Sequence, residues 1–260
     1  MAYQFINVER DGPITLITLN RPEVMNAVHS PMHFEMDEAL NAFGTDPEQW
    51  VGIITGAGER AFSAGNDLKW QAAGGERRAP PSGFAGLTSR FDLTKPLIAA
   101  VNGVAMGGGF EIALACDLII AAETAVFALP EPRVGLAALA GGLHRLPRAV
   151  GVKRAMGMIL TGRRVSAREG LEMGFVNEVT APQELMAAAK RWAELIGECS
   201  PMSIRASKAA VMRGLDEPSL EAAIRGQNRY EDVAALFGSE DFVEGPLAFA
   251  QKRPPRWKGR

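Results

Sequence analysis

Residues 102–111 read Asn102-Gly103-Val104-Ala105-Met106-Gly107-Gly108-Gly109-Phe110-Glu111, and an apolar run, residues 96–101, leads into them. Residues 112–116 continue as an apolar, helix-compatible stretch. A strand that passes through consecutive glycines into a helix can turn tightly and bring its bare main chain close to a neighbour. At a helix start the free N–H groups and the helix dipole favour negative charge. The segment therefore suits either a tight strand-to-helix turn or an oxyanion cradle, with Glu111 one helical turn inside it. The glycines alone leave both readings open.

Alternation of the same kind runs through the first half of the chain. Residues 14–19 are β-rich and end at Asn20-Arg21-Pro22, and residues 3–8 are expected to pair with them through Asp11-Gly12. Met32, Met36, Leu40 and Phe43 make a helical stripe over residues 31–43. Residues 51–55, 97–101, 118–121 and 126–128 read as short buried strands, whereas residues 72–86, rich in Gly, Pro, Arg and Ala, read as a mobile loop. After residue 150 the pattern turns helical over 151–160, 167–173, 182–198, 201–214, 219–237 and 239–251, with one strand at 175–179. The expectation is an α/β core with parallel pairing, followed by a helix-rich end suited to packing or self-association.

Composition excludes several classes. A chain of 260 residues with 47% hydrophobic and 22% charged residues can bury a full core. A net charge of −2 gives no general attraction to nucleic acid or to an anionic membrane. Cys116 and Cys199 fit no metal spacing, and His29, His33 and His144 are too scattered for a metal cluster, so no metal is expected. The start shows no signal peptide. The longest apolar region, residues 97–122, is interrupted by Asn102, Glu111 and Asp117 and reads as core, not a membrane span. These features point to a soluble protein of a reducing, cytoplasmic compartment.

Four segments in order resemble the crotonase superfamily, the enoyl-CoA hydratase/isomerase family. They are Arg21-Pro22-Glu23-Val24-Met25-Asn26-Ala27, Ala61-Phe62-Ser63-Ala64-Gly65-Asn66-Asp67-Leu68-Lys69, residues 100–111, and Phe127-Ala128-Leu129-Pro130-Glu131. The likeness extends to Glu244-Gly245, Phe249, Lys252 and Arg253 near the end. It implies an α/β spiral of ββα repeats over residues 1–195, holding a CoA-thioester site, and a C-terminal helical trimerisation region over residues 196–260. It also implies homotrimers, paired into hexamers as dimers of trimers.

For the site, the resemblance implies an oxyanion hole from the N–H groups of Asn66 and Gly108, with Glu111 and Glu131 as the catalytic carboxylates around one water. Glu111 would act as base toward that water and Glu131 would supply the α-proton. Two close carboxylates repel, so one should hold a proton near neutrality. Val24, Ala64, Asp67, Leu68, Lys69, Gly107 and Leu139 are expected to bind substrate or CoA. Phe249 and Lys252 are expected to reach the CoA of a neighbouring subunit. No cofactor is implied beyond the coenzyme A carried by the acyl-CoA substrate.

One segment departs from the pattern. Ala138-Leu139-Ala140-Gly141-Gly142-Leu143-His144 stands where hydratases often have Pro-Gly and then Gly-Gly-Thr-Gln, and Leu139 replaces a glycine near the expected water. Its side chain would reshape the acyl pocket, while its N–H would remain able to contact the water. The leading expectation is an enoyl-CoA hydratase, a lyase that adds water reversibly across the 2,3 double bond. The alternatives are a Δ3–Δ2 enoyl-CoA isomerase, or an enzyme like a carnitinyl-CoA dehydratase. A non-catalytic RNA-binding role fits poorly, because residues 182–198 carry only Lys190 and Arg191 as basic residues.

Overall fold

The computed structural model describes residues 3–260. It opens with an antiparallel hairpin, β1 (Ile6–Asp11) and β2 (Ile14–Leu19), turned at Gly12 with φ +56. β1 starts three residues later than the alternation suggested, because the turn, not the hydrophobic pattern, sets its register. Helix α1 (Ser30–Thr45) follows and buries Met32, Met36, Leu40 and Phe43 on one face. Strands then come in pairs: β3 (Val51–Gly56) with β4 (Ala61–Ser63), β5 (Leu97–Val101) with β6 (Val104–Met106), and β7 (Leu118–Ala122) with β8 (Val126–Ala128). The first of each pair joins a six-stranded sheet ordered β1-β2-β3-β5-β7-β10. The second joins a four-stranded sheet ordered β4-β6-β8-β9. Here β9 is Val165–Ser166 and β10 is Glu178–Thr180.

From β3 to β8 consecutive strands fall in different sheets, so the chain winds instead of meandering. Helices α2 (Leu68–Ala72), α3 (Gly108–Ala115) and α4 (Gly142–Val150) carry it back after each pair. Among the described residues antiparallel pairing is confined to β1–β2 and β8–β9. The result is the α/β spiral of ββα repeats. α5 (Val152–Thr161), α6 (Ala167–Met173) and α7 (Leu185–Gly197) complete the core.

The central strands of the large sheet, β3, β5 and β7, are covered on both faces, which is why they read as unbroken apolar runs. On β5, Leu97, Ala99 and Val101 face the core between the sheets, while Ile98 and Ala100 face α7 through Leu185, Ala188, Ala189 and Ala193. Phe110, Phe127 and Phe175 meet pairwise at 5.2 Å in the inner core. α7 belongs to this packing and runs to Gly197, so a boundary after residue 195 cuts its last turn.

Helices α8 (Pro201–Gly214), α9 (Leu220–Gly226), α10 (Glu231–Phe237) and α11 (Glu240–Ala250) form the C-terminal part. Ser200, Ser219 and Ser239 cap α8, α9 and α11 through their hydroxyl oxygens, which accept N–H groups three residues on. The single helix expected over residues 219–237 is broken, because Tyr230 is extended (φ −69, ψ 132). The strand expected at residues 175–179 is moved to Glu178–Thr180, because Gly174 ends α6 in a left-handed turn and Phe175 and Val176 drop into the core. α4 was not foreseen, since Pro147 lies within it. Among the described residues no helix is long and apolar enough to cross a membrane.

Candidate active site

Three main-chain segments meet at the start of α3. Gly65 holds φ +86, and a β-carbon on it would stand 2.5 Å from the Met106 carbonyl oxygen and 2.8 Å from the Gly108 nitrogen. A β-carbon on Gly109 would overlap the Ser63 carbonyl. The loop after β4 therefore lies backbone against backbone on the N-terminus of α3, which explains the glycines. The early segment joins from the other side: Ala64 N–H donates to Met25 O (2.9 Å), Val28 N–H to Gly65 O (2.7 Å) and Asp67 N–H to Val28 O (2.9 Å). With those bonds made, the N–H groups of Asn66 and Gly108 have no acceptor among the described residues. Two bare amides thus border one cleft, one of them at the positive end of a helix.

Both glutamates line that cleft. Glu111 lies one turn into α3, is 3% exposed, and its Oε1 accepts the Gly142 N–H at 2.8 Å. Burial pushes its pKa up to about 7; the Gly142 N–H opposes this, the charge of Glu131 adds to it, and the Ala140 backbone and Arg145 oppose it. Glu131 opens a short 3-10 turn (Glu131–Val134), and its Oε1 lies 2.7 Å from where a β-carbon on Gly107 would be. Its Oε2 is buried without a hydrogen-bond partner, and burial raises its pKa too. A pair of carboxyl groups with raised pKa values, beside two unpaired amides, can polarise a carbonyl and exchange protons next to it.

The remaining expected residues divide into groups. Gly107 (φ +53) makes room for Glu131, and Leu139, 79% exposed, lines the cleft. The Leu139 N–H, expected to remain able to contact water, instead donates to Ala137 O at 2.8 Å; the loop offers Gly142 N–H to Glu111 in its place. Val24 sits in the turn Pro22–Val24, next to Met25, which holds Ala64. Leu68 and Lys69 are exposed at the start of α2. Asp67 is occupied: it caps α2 through the Trp70 N–H (2.9 Å) and pairs with Arg21 (2.9 Å). Burial alone would raise its pKa, but the Trp70 N–H and Arg21 outweigh that and hold it below the usual carboxylate range. Phe249, 87% exposed on α11, and Lys252 do not line the cleft of their own chain.

Residues 9–260 match the family described as "Enoyl-CoA hydratase/isomerase". The chain belongs to the enoyl-CoA hydratase/isomerase family. It is 47% identical over 260 residues to a carnitinyl-CoA dehydratase of Salmonella arizonae, covering 98% of each chain. It is also similar to the crystal structure of an enoyl-CoA hydratase from Mycobacterium tuberculosis H37Rv, at 38% identity and a TM-score of 0.92, with 98% of this chain and 99% of that one covered. A carnitinyl-CoA hydratase from Mycobacterium avium is 42% identical, with a TM-score of 0.79 and both chains covered completely.

In this enoyl-CoA hydratase/isomerase family member, the cleft has a volume of about 290 Å³ and an aromatic wall that the sequence reading missed: His29, His33, Trp70 and Phe84. His29 stands edge-on between Phe5 (4.4 Å) and Trp70 (4.9 Å), and His33 stands edge-on to Phe84 (4.6 Å). Burial, then the neighbouring His29, pushes His33 down to about 4; burial first and Arg21 next lower His29. The spacing of His29 and His33, one turn apart at the start of a helix with a buried stripe, was the available signal. Phe84 lay in the segment read as a mobile loop. That segment ends instead in a buried 3-10 turn (Phe84–Gly86), with Ala85 fully buried at φ +52.

Proposed function

We propose that the protein is a hydro-lyase acting on a CoA thioester, and that its acyl group is of the carnitinyl type. The reaction is loss of water from a 3-hydroxy-4-trimethylammonio acyl thioester to give the 2-enoyl thioester, and its reversal. The observation that carries the reaction class is the meeting of the buried Glu111 carboxyl and the Glu131 carboxyl, whose Oε2 is buried, with two acceptor-free amides in one cleft. The choice of acyl group is supported by 47% identity to a carnitinyl-CoA dehydratase across nearly the full chain, and it replaces the generic enoyl chain first expected.

In this reading the thioester oxygen accepts the N–H groups of Asn66 and Gly108. As an α-proton leaves, charge builds on that oxygen and the amides meet it without reorganising. Losing one such donor typically costs about 2.7–4 kcal/mol of barrier. Glu131 takes the α-proton and Glu111, protonated, gives a proton to the departing hydroxyl; hydration reverses both transfers. A pKa of about 7 keeps Glu111 close to half protonated near neutrality, which suits a group that must act in both directions.

Val24, Ala64, Leu68 and Lys69 border the CoA path, and Asp67 serves it indirectly by holding the loop that carries Asn66. Phe249 and Lys252 are assigned to the CoA bound by a neighbouring copy. The exposed apolar residues of the C-terminal helices, among them Leu220, Ile224, Val243 and Phe249, support assembly into trimers.

The test supplies purified protein with crotonyl-CoA and with its 4-trimethylammonio analogue, follows the enoyl-thioester absorbance and identifies the products. Glu111→Gln and Glu131→Gln are run beside the wild type. Turnover of the cationic thioester, lost in both variants, supports the proposal; unchanged rates in both overturn it. Conversion of a 3-enoyl thioester in labelled water without any 3-hydroxyacyl product would favour an isomerase instead.

A further inference from the structure

We propose that the ring of Phe84 receives the quaternary ammonium group of the acyl chain, and that His33 is the residue that positions this ring. The inference rests on the carnitinyl reading above and names the feature that would select that acyl group.

Place is the first argument. A β-carbon on Gly108 would stand 2.5 Å from Phe84 Cζ and 2.6 Å from Cε1, so the ring lies directly on the residue whose amide borders the cleft. In a 4-trimethylammonio acyl chain the nitrogen is four bonds from the thioester carbon, about 5 Å when extended. A cation within about 6 Å of an aromatic centroid is attracted to the ring face, and quaternary ammonium groups are commonly bound this way. A thioester held by the Gly108 amide would bring its ammonium within range of this ring.

The second argument is that the ring is held. Phe84 N–H donates to Thr88 Oγ1 (2.9 Å) and Ala85 N–H donates to His33 Nδ1 (2.7 Å). The His33 ring also packs edge-on against Phe84, at 4.6 Å and 76°. Ala85 keeps φ +52 in full burial, and Gly86 presses on the Asp37 backbone. His33 is thus the acceptor that fastens a strained turn. It has no spare contact of this kind with the Glu111–Gly142 machinery.

Charge is the third. Because His33 Nδ1 accepts a hydrogen bond, the ring is neutral, and burial keeps it so down to about pH 4. Of the cleft's two arginines, both exposed, Arg78 pairs with Glu76 (3.3 Å) and lies over Phe34 (5.7 Å). The guanidinium of Arg145 donates to the Thr88 carbonyl (2.9 Å) and does not line the cleft, so the cleft wall beside Phe84 presents aromatic faces.

The test compares two substrates of one shape: the 4-trimethylammoniobut-2-enoyl thioester and its uncharged isostere, 5,5-dimethylhex-2-enoyl-CoA. The readout is the ratio of kcat/KM values, cation over isostere, which cancels any loss common to both. The wild type is expected to favour the cation. Phe84→Leu should lower the ratio by roughly tenfold to thirtyfold, the range of a desolvated cation–π contact, while Phe84→Tyr retains it. His33→Leu should lower it in the same direction, mainly through KM for the cation. Mono-, di- and trifluorinated phenylalanine at position 84 should lower it stepwise without changing the fold. A wild type that favours the cation, with fluorination leaving the ratio unmoved, overturns the Phe84 assignment alone. A wild type that hydrates the isostere but not the cation overturns the carnitinyl reading and this inference with it.

Discussion

The carboxyl group of Glu131 fills the space that a side chain on Gly107 would need: a β-carbon there would stand 2.7 Å from Glu131 Oε1, and Gly107 holds φ +53. An alanine must therefore either push the carboxylate aside or shift the start of α3. The strained backbone costs about 1–3 kcal/mol. Gly107→Ala is expected to lower the melting temperature by roughly 2–4 °C for each kcal/mol lost. It should also lower kcat by about 100-fold if Glu131 has the proton-transfer role proposed for it, because displacing such a group is felt strongly. Calorimetry and initial rates check both, and full activity in the variant would show that Glu131 need not stand there.

Glu111 makes stability depend on pH in an identifiable direction. Its pKa in the folded protein is about 7, against an ordinary value of 4.5. The folded state holds that proton more tightly than the unfolded chain does. The stability it contributes is fully present below about pH 4.5 and is lost as pH rises through about 7. At pH 8 the buried, ionised carboxylate costs on the order of 3 kcal/mol. Glu111→Gln should therefore be more stable than the wild type at pH 8, with the advantage fading toward pH 4. Urea unfolding across that range measures it.

Activity should follow a bell-shaped pH profile, since the proposed chemistry needs one carboxyl protonated and one ionised. The two limbs belong to the coupled pair, not to either residue. Hydration takes up no net proton, so kcat/KM for hydration and for dehydration must share one profile. Initial rates of hydration from about pH 4 to about pH 10 check the bell, and a profile with only one limb would exclude a pair of carboxyl groups needed in opposite protonation states.

Arg21 and Asp67 form an ion pair of which only 12% and 8% of the side chains are exposed. Asp67→Ala would leave the guanidinium buried with the Ala27 carbonyl as its remaining partner and would uncap α2. A loss of about 3–5 kcal/mol is expected from the broken pair. Asp67→Asn keeps a capping oxygen and should lose less. Because Asp67 titrates below its ordinary value, the stability it gives is present above about pH 3.8 and is lost as pH falls through its folded value. Denaturation of both variants at pH 7 and at about pH 3, below the ordinary value of 3.8, tests this, and the deficit should shrink at the lower pH.

Leu220, Ile224, Val243 and Phe249 are 77%, 58%, 66% and 87% exposed, an apolar display that a lone chain in water does not favour. Sedimentation of the wild type should give a multiple of the 27.8 kDa chain, and Val243→Asp should shift it toward the single chain. A wild type that sediments as one chain at micromolar concentration would remove the basis for the assembly.

What could be read from the sequence followed from how each element is covered. β3, β5 and β7 were legible because a sheet packed on both faces demands continuous apolar runs. β4 and β6, three residues each, carry no periodicity, so of the second sheet only β8 was legible without the resemblance. Glu111 was visible as a helix-start carboxylate. Its approach to Glu131, 20 residues on, is a product of the spiral, and spacing cannot encode it. Phe84 was hidden because Gly- and Pro-rich flanks look the same whether a turn floats in solvent or is fastened to a histidine.

The amides of Asn66 and Gly108 are main-chain atoms, and that has an evolutionary corollary. No substitution at Asn66 or Gly108, short of proline, can delete its N–H; selection can act on the pair only by crowding it. Phe84, Leu139 and their neighbours carry no such protection and can be exchanged one at a time. A lineage built on this scaffold is therefore free to change the acid it accepts while the amide pair proposed to activate the thioester passes unchanged from one descendant to the next.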